Sequence, residues 1–205
     1  MFLCSSNQPD FIKSTLPPKK QTTQHLNKTF ANRNIIQIET IGQSYLKSIH
    51  SNSNEDVEGV DGGDDLVIIK LSNFNITDSS DVNSDNKNNT IEKSNILLIF
   101  GIHAREYAPP ELGMRYIEHL LSSYVTNANI KTILDSTTLH FLLYSNPDGR
   151  RIAEEYPKLY VRKNRNRSSR DCGNSNSGID LNRNFPFMWG GLGASSYPCS
   201  ETFRG

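Results

Sequence analysis

His103 and Glu106 stand three positions apart in the stretch Gly101-Ile102-His103-Ala104-Arg105-Glu106. A neutral imidazole with a carboxylate is a common ligand pair for a catalytic zinc ion, which keeps one coordination position open for water. The stretch follows a short apolar run, Ile96-Leu97-Leu98-Ile99-Phe100, that reads as a buried strand. The residues after it read as a helix. The pair therefore falls in a strand-to-helix turn at the carboxyl end of a strand, where open α/β sheets place their ligand sites. By itself the spacing more often marks a surface turn with two polar residues.

Further segments follow in order. Asn146-Pro147-Asp148-Gly149 comes after a second apolar run, Leu139 to Tyr144. Arg162-Lys163-Asn164-Arg165 is next, then Gly178-Ile179-Asp180-Leu181-Asn182-Arg183-Asn184-Phe185, then Pro198-Cys199-Ser200-Glu201-Thr202-Phe203-Arg204-Gly205. Singly, each has an ordinary reading. Asp148-Gly149 is a common turn dipeptide. Arg162 opens a basic run with Lys163, Arg165, Arg167 and Arg170, which reads as a solvated face or a nucleic-acid patch. Asp180 reads as a cap, and Asn182-Arg183 as a polar loop.

As an ordered set, from about Ile41-Gly42-Gln43-Ser44-Tyr45 to Gly205, these segments resemble the zinc metallocarboxypeptidases, the family of the pancreatic carboxypeptidases A and B. The resemblance implies a mixed, mostly parallel α/β sheet flanked by helices. It implies one zinc ion, with His103 and Glu106 as the first two ligands. Arg105 is similar to the arginine that holds the substrate backbone. Arg162 is similar to the one that polarises the scissile carbonyl, and Asn182 with Arg183 to the pair that grips the terminal carboxylate. Asp180 resembles the acid that accepts the free ring N–H of the first histidine. Cys172 and Cys199 fall where mammalian relatives have a disulfide.

The residue types suit these tasks. A planar guanidinium matches a carboxylate better than an ammonium does. A fixed cation aimed at a carbonyl oxygen acts mainly on the transition state. A metal-bound histidine nearly always has a partner that fixes its tautomer. The implied reaction is release of C-terminal amino acids from peptides, with a peptide or protein C-terminus as substrate and a monomeric enzyme. Two other readings stay open: a truncated, non-catalytic relative that binds peptide C-termini, and a related zinc amidohydrolase.

The family also needs a third ligand histidine on a later strand, a glutamate base and a mobile tyrosine. Of the five histidines, His25 and His50 lie in polar segments, His119 in the amphipathic helix and His140 in a strand run. None takes the third ligand's place. The expectation is an incomplete catalytic domain that binds zinc weakly by itself.

The elements that must position these groups are legible. Residues 1–34 are polar and read as disordered. Residues 35–205 read as the N-terminal part of the catalytic domain, with low-complexity insertions near 51–65 and 79–90. Ile35 to Ile41, Leu66 to Leu71 and Leu139 to Tyr144 read as strands, Ile130 to Leu134 and Glu154 to Leu159 as short helices. Pro109 and Pro110 fit the first turn of the helix after the motif. Leu112, Tyr116, Ile117, Leu120, Leu121 and Tyr124 then form its packing face. Val161 to Gly205 reads largely as loop. Lys+Arg and Asp+Glu both number 22, so no overall field draws in nucleic acid or membrane. No segment is long enough to span a bilayer. Cys172 and Cys199, at the positions where the resemblance implies a disulfide, point to secretion or another oxidising compartment.

Overall fold

The computed structural model describes Leu26 and residues 34–52, 62–78, 90–166 and 172–205. Strand β1, Ile36–Gln43, alternates half-buried and exposed side chains at its start. It runs into helix α1, Tyr45–Asn52, and then strand β2, Asp65–Leu71, which buries Ile68, Ile69 and Leu71. β1 and β2 pair antiparallel, with a register shift between Thr40 and Gly42. Two short strands, β3 (Thr77–Asp78) and β4 (Thr90–Ile91), pair separately. Strand β5, Ser94–Ile99, leads through helices α2, Ala108–Ser123, and α3, Ala128–Ser136, into strand β6, Thr137–Leu142. The sheet order is β1-β2-β6-β5.

The sheet is mixed and flanked by helices, as expected; within its four described strands β5 and β6 run parallel and the other two pairings antiparallel. The reason lies in the connections. β5 reaches β6 through two helices, the long crossover that parallel neighbours require. The chain enters β2 from a return beside β1 and so runs the other way.

α2 begins as the sequence predicts, with proline at its first positions and one apolar face inward. That face is Pro110, Gly113, Met114, Ile117, Leu120 and Leu121. Two residues assigned to it are exposed instead: Leu112 at 66% and Tyr116 at 43%. The buried stripe centres on Met114, Ile117 and Leu121, and Leu112 falls off its edge at 3.6 residues per turn. Tyr116 still meets Phe141 edge-on, ring centroids 5.9 Å apart. α3 is capped by Asn127, whose side chain accepts from Asn129 N and Ile130 N.

The apolar run of β5 is not buried as predicted. Ile96 is 47% exposed and Leu97 57%. β5 is the last strand of the described sheet, with β6 on one side only. An apolar run is buried only when layers cover it, and composition cannot report that. The core lies instead between β2, β6 and helices α2 and α3, around Leu71, Phe141, Ile117, Leu121 and Leu134. Leu26 is fully buried in it. The rest of the polar N-terminal segment except Asn34, and residues 53–61 and 79–89 of the two insertions, lie outside the described residues.

Two of the helices that the sequence reading lacks are longer than a single turn. α1 carries His50, which was placed in irregular chain. Helix α4, Pro147–Glu155, starts inside the segment read as a turn. Asn146 caps it, accepting from Gly149 N at 3.1 Å, which is the same chemistry that makes such residues turn formers. A 3-10 turn follows at Pro157–Leu159.

Burial pushes the Tyr144 phenol up to about 12. Burial, and donation to Asp135 at 2.8 Å, push Tyr124 to about 12 as well. Both folded values exceed the unfolded value of roughly 10. Their stabilisation is therefore complete below that value and is lost as pH rises toward the folded one. In an alkaline titration followed by phenolate absorbance, Tyr124 and Tyr144 should ionise last and stability should fall across this window. Uniform ionisation near the ordinary value would contradict it.

Candidate metal centre and substrate-binding site

Two residues after β5 comes Gly101, whose φ is +62°. A Cβ there would lie 2.8 Å from the Leu143 carbonyl oxygen. Gly101 permits the chain to leave the sheet tightly against β6. Asn146 N donates to Gly101 O at 3.1 Å. The turn carrying His103 and Glu106 is then tied to the next segment: Ala104 N donates to Arg162 O at 3.0 Å. A third segment docks on that one. Asn164 N donates to Ile179 O at 3.0 Å, and Ile179 N donates to Asn164 Oδ1 at 2.8 Å. The docking is close enough that a Cβ at Gly178, φ +106°, would fall on the Asn164 carbonyl oxygen. Asp180 N donates to Phe203 O at 2.8 Å. Backbone bonds from three segments thus set Asp180 beneath His103, with no exposed surface.

His103 Nε2 lies 3.2 Å from Asp180 Oδ1, and Nδ1 lies 2.9 Å from Glu106 Oε1. Asp180 Oδ1 also accepts from Asn182 N at 2.9 Å. Asp180 Oδ2 accepts from Arg162 Nε at 3.2 Å and Nη2 at 3.1 Å. Arg162 Nη1 is 3.6 Å from Glu106 Oε1. We assign the ring proton to Nε2, the nitrogen that faces the buried Asp180 carboxylate. In the neutral imidazole that leaves a lone pair on Nδ1 facing a Glu106 oxygen. Two electron-pair donors so placed need a proton or a cation between them. Donors bound to one tetrahedral zinc ion at roughly 2.0–2.1 Å sit about 3.3 Å apart. The pair would open by a few tenths of an ångström to take zinc, so these residues fit the ion. Among the described residues no group of three or more His, Cys, Asp or Glu side chains converges as a metal site. His119 is exposed on α2. His140 on β6 bonds Asn95 Oδ1 at 2.8 Å, and burial with the nearby Lys70 charge lowers its pKa.

The other arginines are held differently. Arg105 donates from Nη1 and Nη2 to the two Glu201 oxygens, at 2.8 and 3.1 Å, and from Nη1 to Tyr160 O at 3.1 Å. Hydrogen bonding to Arg105 holds the Glu201 carboxyl below the usual range. Arg183 lies in a 3-10 turn, Leu181–Arg183, and donates to Gly193 O at 3.0 Å and Asn182 O at 2.9 Å.

Among the described residues of the basic run, Lys163 and Arg165 are not on a solvated face. Lys163 is 1% exposed and Arg165 3%. Lys163 Nζ donates to Pro198 O at 2.7 Å and Ser200 O at 2.8 Å, and burial lowers its pKa. It pins the loop that carries Cys199 and Glu201. Arg167 and Arg170 lie outside the described residues. Cys172 and Cys199 form a disulfide.

The fold therefore joins His103, Glu106, Asp180 and Arg162 in one bonded cluster. It puts Asn182 and Arg183 directly after Asp180, and Arg105 against Glu201. Sequence reasoning gave no role to Glu201 or Lys163. A carboxylate two residues after Cys199 was visible as a charge, but nothing local marks its partner.

Metallocarboxypeptidase A of Trichophyton tonsurans is 36% identical over 104 residues, 51% of this chain and 24% of that protein. Carboxypeptidase A2 of Rattus norvegicus is 34% identical over 114 residues, 56% of this chain and 26% of its own. The chain thus matches about a quarter of the length of these curated relatives. The crystal structure of carboxypeptidase A from Helicoverpa armigera superposes with a TM-score of 0.62 at 27% identity, covering 89% of this chain and 36% of that one. The zinc carboxypeptidase family model matches residues 18–205, and with the His103–Glu106 turn set on Asp180 the chain belongs to the zinc carboxypeptidase family.

Proposed function

We propose that His103 Nδ1 and Glu106 hold zinc, and that the protein containing this chain removes C-terminal amino acids from peptides. The observation that carries the reading is the ring geometry: Nε2 rests on Asp180 while Nδ1 faces Glu106 across 2.9 Å. Zinc supplies Lewis acidity, which polarises a carbonyl and acidifies water. Asp180 holds the ring tautomer that leaves Nδ1 unprotonated. Arg162, oriented by Asp180, offers a fixed cation to a carbonyl oxygen that gains negative charge. Arg183 and Asn182 take the terminal carboxylate, and Arg105 steadies the peptide backbone. Residues 35–205 are part of the catalytic domain, and the Cys172–Cys199 disulfide suits secretion or another oxidising compartment.

A binder of peptide C-termini without turnover is the second reading, in which Arg162, Asn182 and Arg183 hold the peptide end. Calorimetry separates the parts. Zinc affinity should be measurable and should vanish in His103→Ala. A blocked dipeptide acid should bind about tenfold tighter than its amide, a difference of 1.4 kcal/mol, and Arg183→Ala should erase the preference. Equal binding of acid and amide by the unaltered chain would refute the exopeptidase reading. Hydrolysis by any protein carrying this chain would exclude the binder.

A further inference from the structure

The three arginines of the site differ in what opposes their charge. Arg162 gives Nε and Nη2 to the buried Asp180 carboxylate. Arg105 grips both oxygens of Glu201 and spends a further Nη1 proton on the Tyr160 carbonyl. Arg183 donates only to the carbonyl oxygens of Gly193 and Asn182. A carbonyl orients a guanidinium but leaves its charge intact; a carboxylate cancels it. Of these three cations, Arg183 is the one with no carboxylate partner among the described residues.

We infer that Glu201 determines specificity by neutralising Arg105, so that a peptide's terminal carboxylate has Arg183 as its single destination. The inference rests on the reading that Arg183 receives that carboxylate. Arg105 adjoins Glu106 in sequence, beside the metal pair. A free cation there would compete for the chain end and hold it out of register. Forked by Glu201, Arg105 uses three of its five N–H donors. The remaining two suit neutral peptide carbonyls, which are backbone and not chain end.

Exposed ion pairs often contribute little, because two long side chains must be ordered for one contact. Here the contact is a two-point fork, the favourable exception. Its acidic partner is also prepositioned. Lys163 clamps the carbonyls of Pro198 and Ser200, and the disulfide fixes Cys199, so the three residues leading into Glu201 are anchored where it meets Arg105. Tyr160, at φ +50°, presents its carbonyl to the same guanidinium.

Glu201→Gln keeps the side chain's size and removes its charge. The probes are benzoyl-glycyl-phenylalanine and its C-terminal amide, titrated calorimetrically into this chain. Arg183→Ala should bind both alike. Adding Glu201→Gln to Arg183→Ala should restore a preference for the acid of about tenfold, the scale of a charge-assisted hydrogen bond. A third change, Arg105→Ala, should remove it again. If the Glu201→Gln, Arg183→Ala protein, melting like Arg183→Ala alone, treats acid and amide alike, the inference is wrong. Arg105→Ala by itself should leave the acid preference intact; its loss would place the carboxylate on Arg105 and overturn the inference without any change at Glu201. If Arg183→Ala leaves the preference standing while Arg105→Ala also does, the Arg183 reading fails, and acid binding gained on Glu201→Gln still decides what Glu201 does.

Discussion

Replacing Asp180 by Ala should lower folding stability by about 3–5 kcal/mol, the cost of stripping one partner from a buried ion pair. Asp180 is fully buried and serves three residues: His103 through its ring, Asn182 through its backbone and Arg162 through two nitrogens. Its removal leaves the Arg162 guanidinium with only the looser Glu106 contact, Nη1 to Oε1 at 3.6 Å, in a site where little water can make up the loss, since the Arg162 side chain is 16% exposed. It also frees the His103 ring to rotate and to change tautomer. Zinc affinity should fall roughly 10–100-fold, the range for losing a ligand's supporting partner. Denaturant unfolding and zinc titration of the same protein measure both effects. Asp180→Asn provides the control for shape: it can still accept one hydrogen bond, but it cannot neutralise Arg162. It should recover part of the zinc affinity and little of the stability. An Asp180→Ala protein within about 1 kcal/mol of the original would mean that the cluster is no linked unit.

Opening the Cys172–Cys199 disulfide should have the second largest effect. It closes a loop of sequence separation 27. The chain-entropy relation gives about 3.5 kcal/mol for a loop of that size. The bridge joins the entry to Asp180, Asn182 and Arg183 to the loop that ends in Glu201. Losing it should therefore loosen the Arg105–Glu201 fork as well as destabilise the fold. A Cys172→Ser, Cys199→Ser protein should unfold at lower denaturant, and reductant should lower the midpoint of the original protein toward it. Coincident midpoints with and without reductant would show that the loop is held by other contacts. Lys163 is the competing clamp, since it bonds the carbonyls on either side of Cys199.

Much of the architecture was readable because its signals are local. Alternation in Ile36 and Ile38 marks a half-covered strand, and prolines at the first positions of α2 mark its start. The errors share a cause. Leu112, Leu97 and the basic run were assigned by residue type, yet their exposure depends on what the rest of the chain lays against them. Periodicity assigns a residue to a side of its own element. It does not say whether a neighbour covers that side.

The candidate site divides in the same way. The sequence by itself determined the donor types and the short spacings: an imidazole three residues from a carboxylate, an amide beside a guanidinium, a glycine where the chain leaves β5. Family resemblance added which segments belong together. Tertiary structure alone decided which charges cancel. His103 meets Asp180 across 77 positions, and Arg105 meets Glu201 across 96. Contacts at such separations are set by how the loops close over the sheet. A guanidinium has the same formal charge wherever it stands in a sequence; whether that charge reaches a ligand depends on the carboxylate that the fold brings beside it.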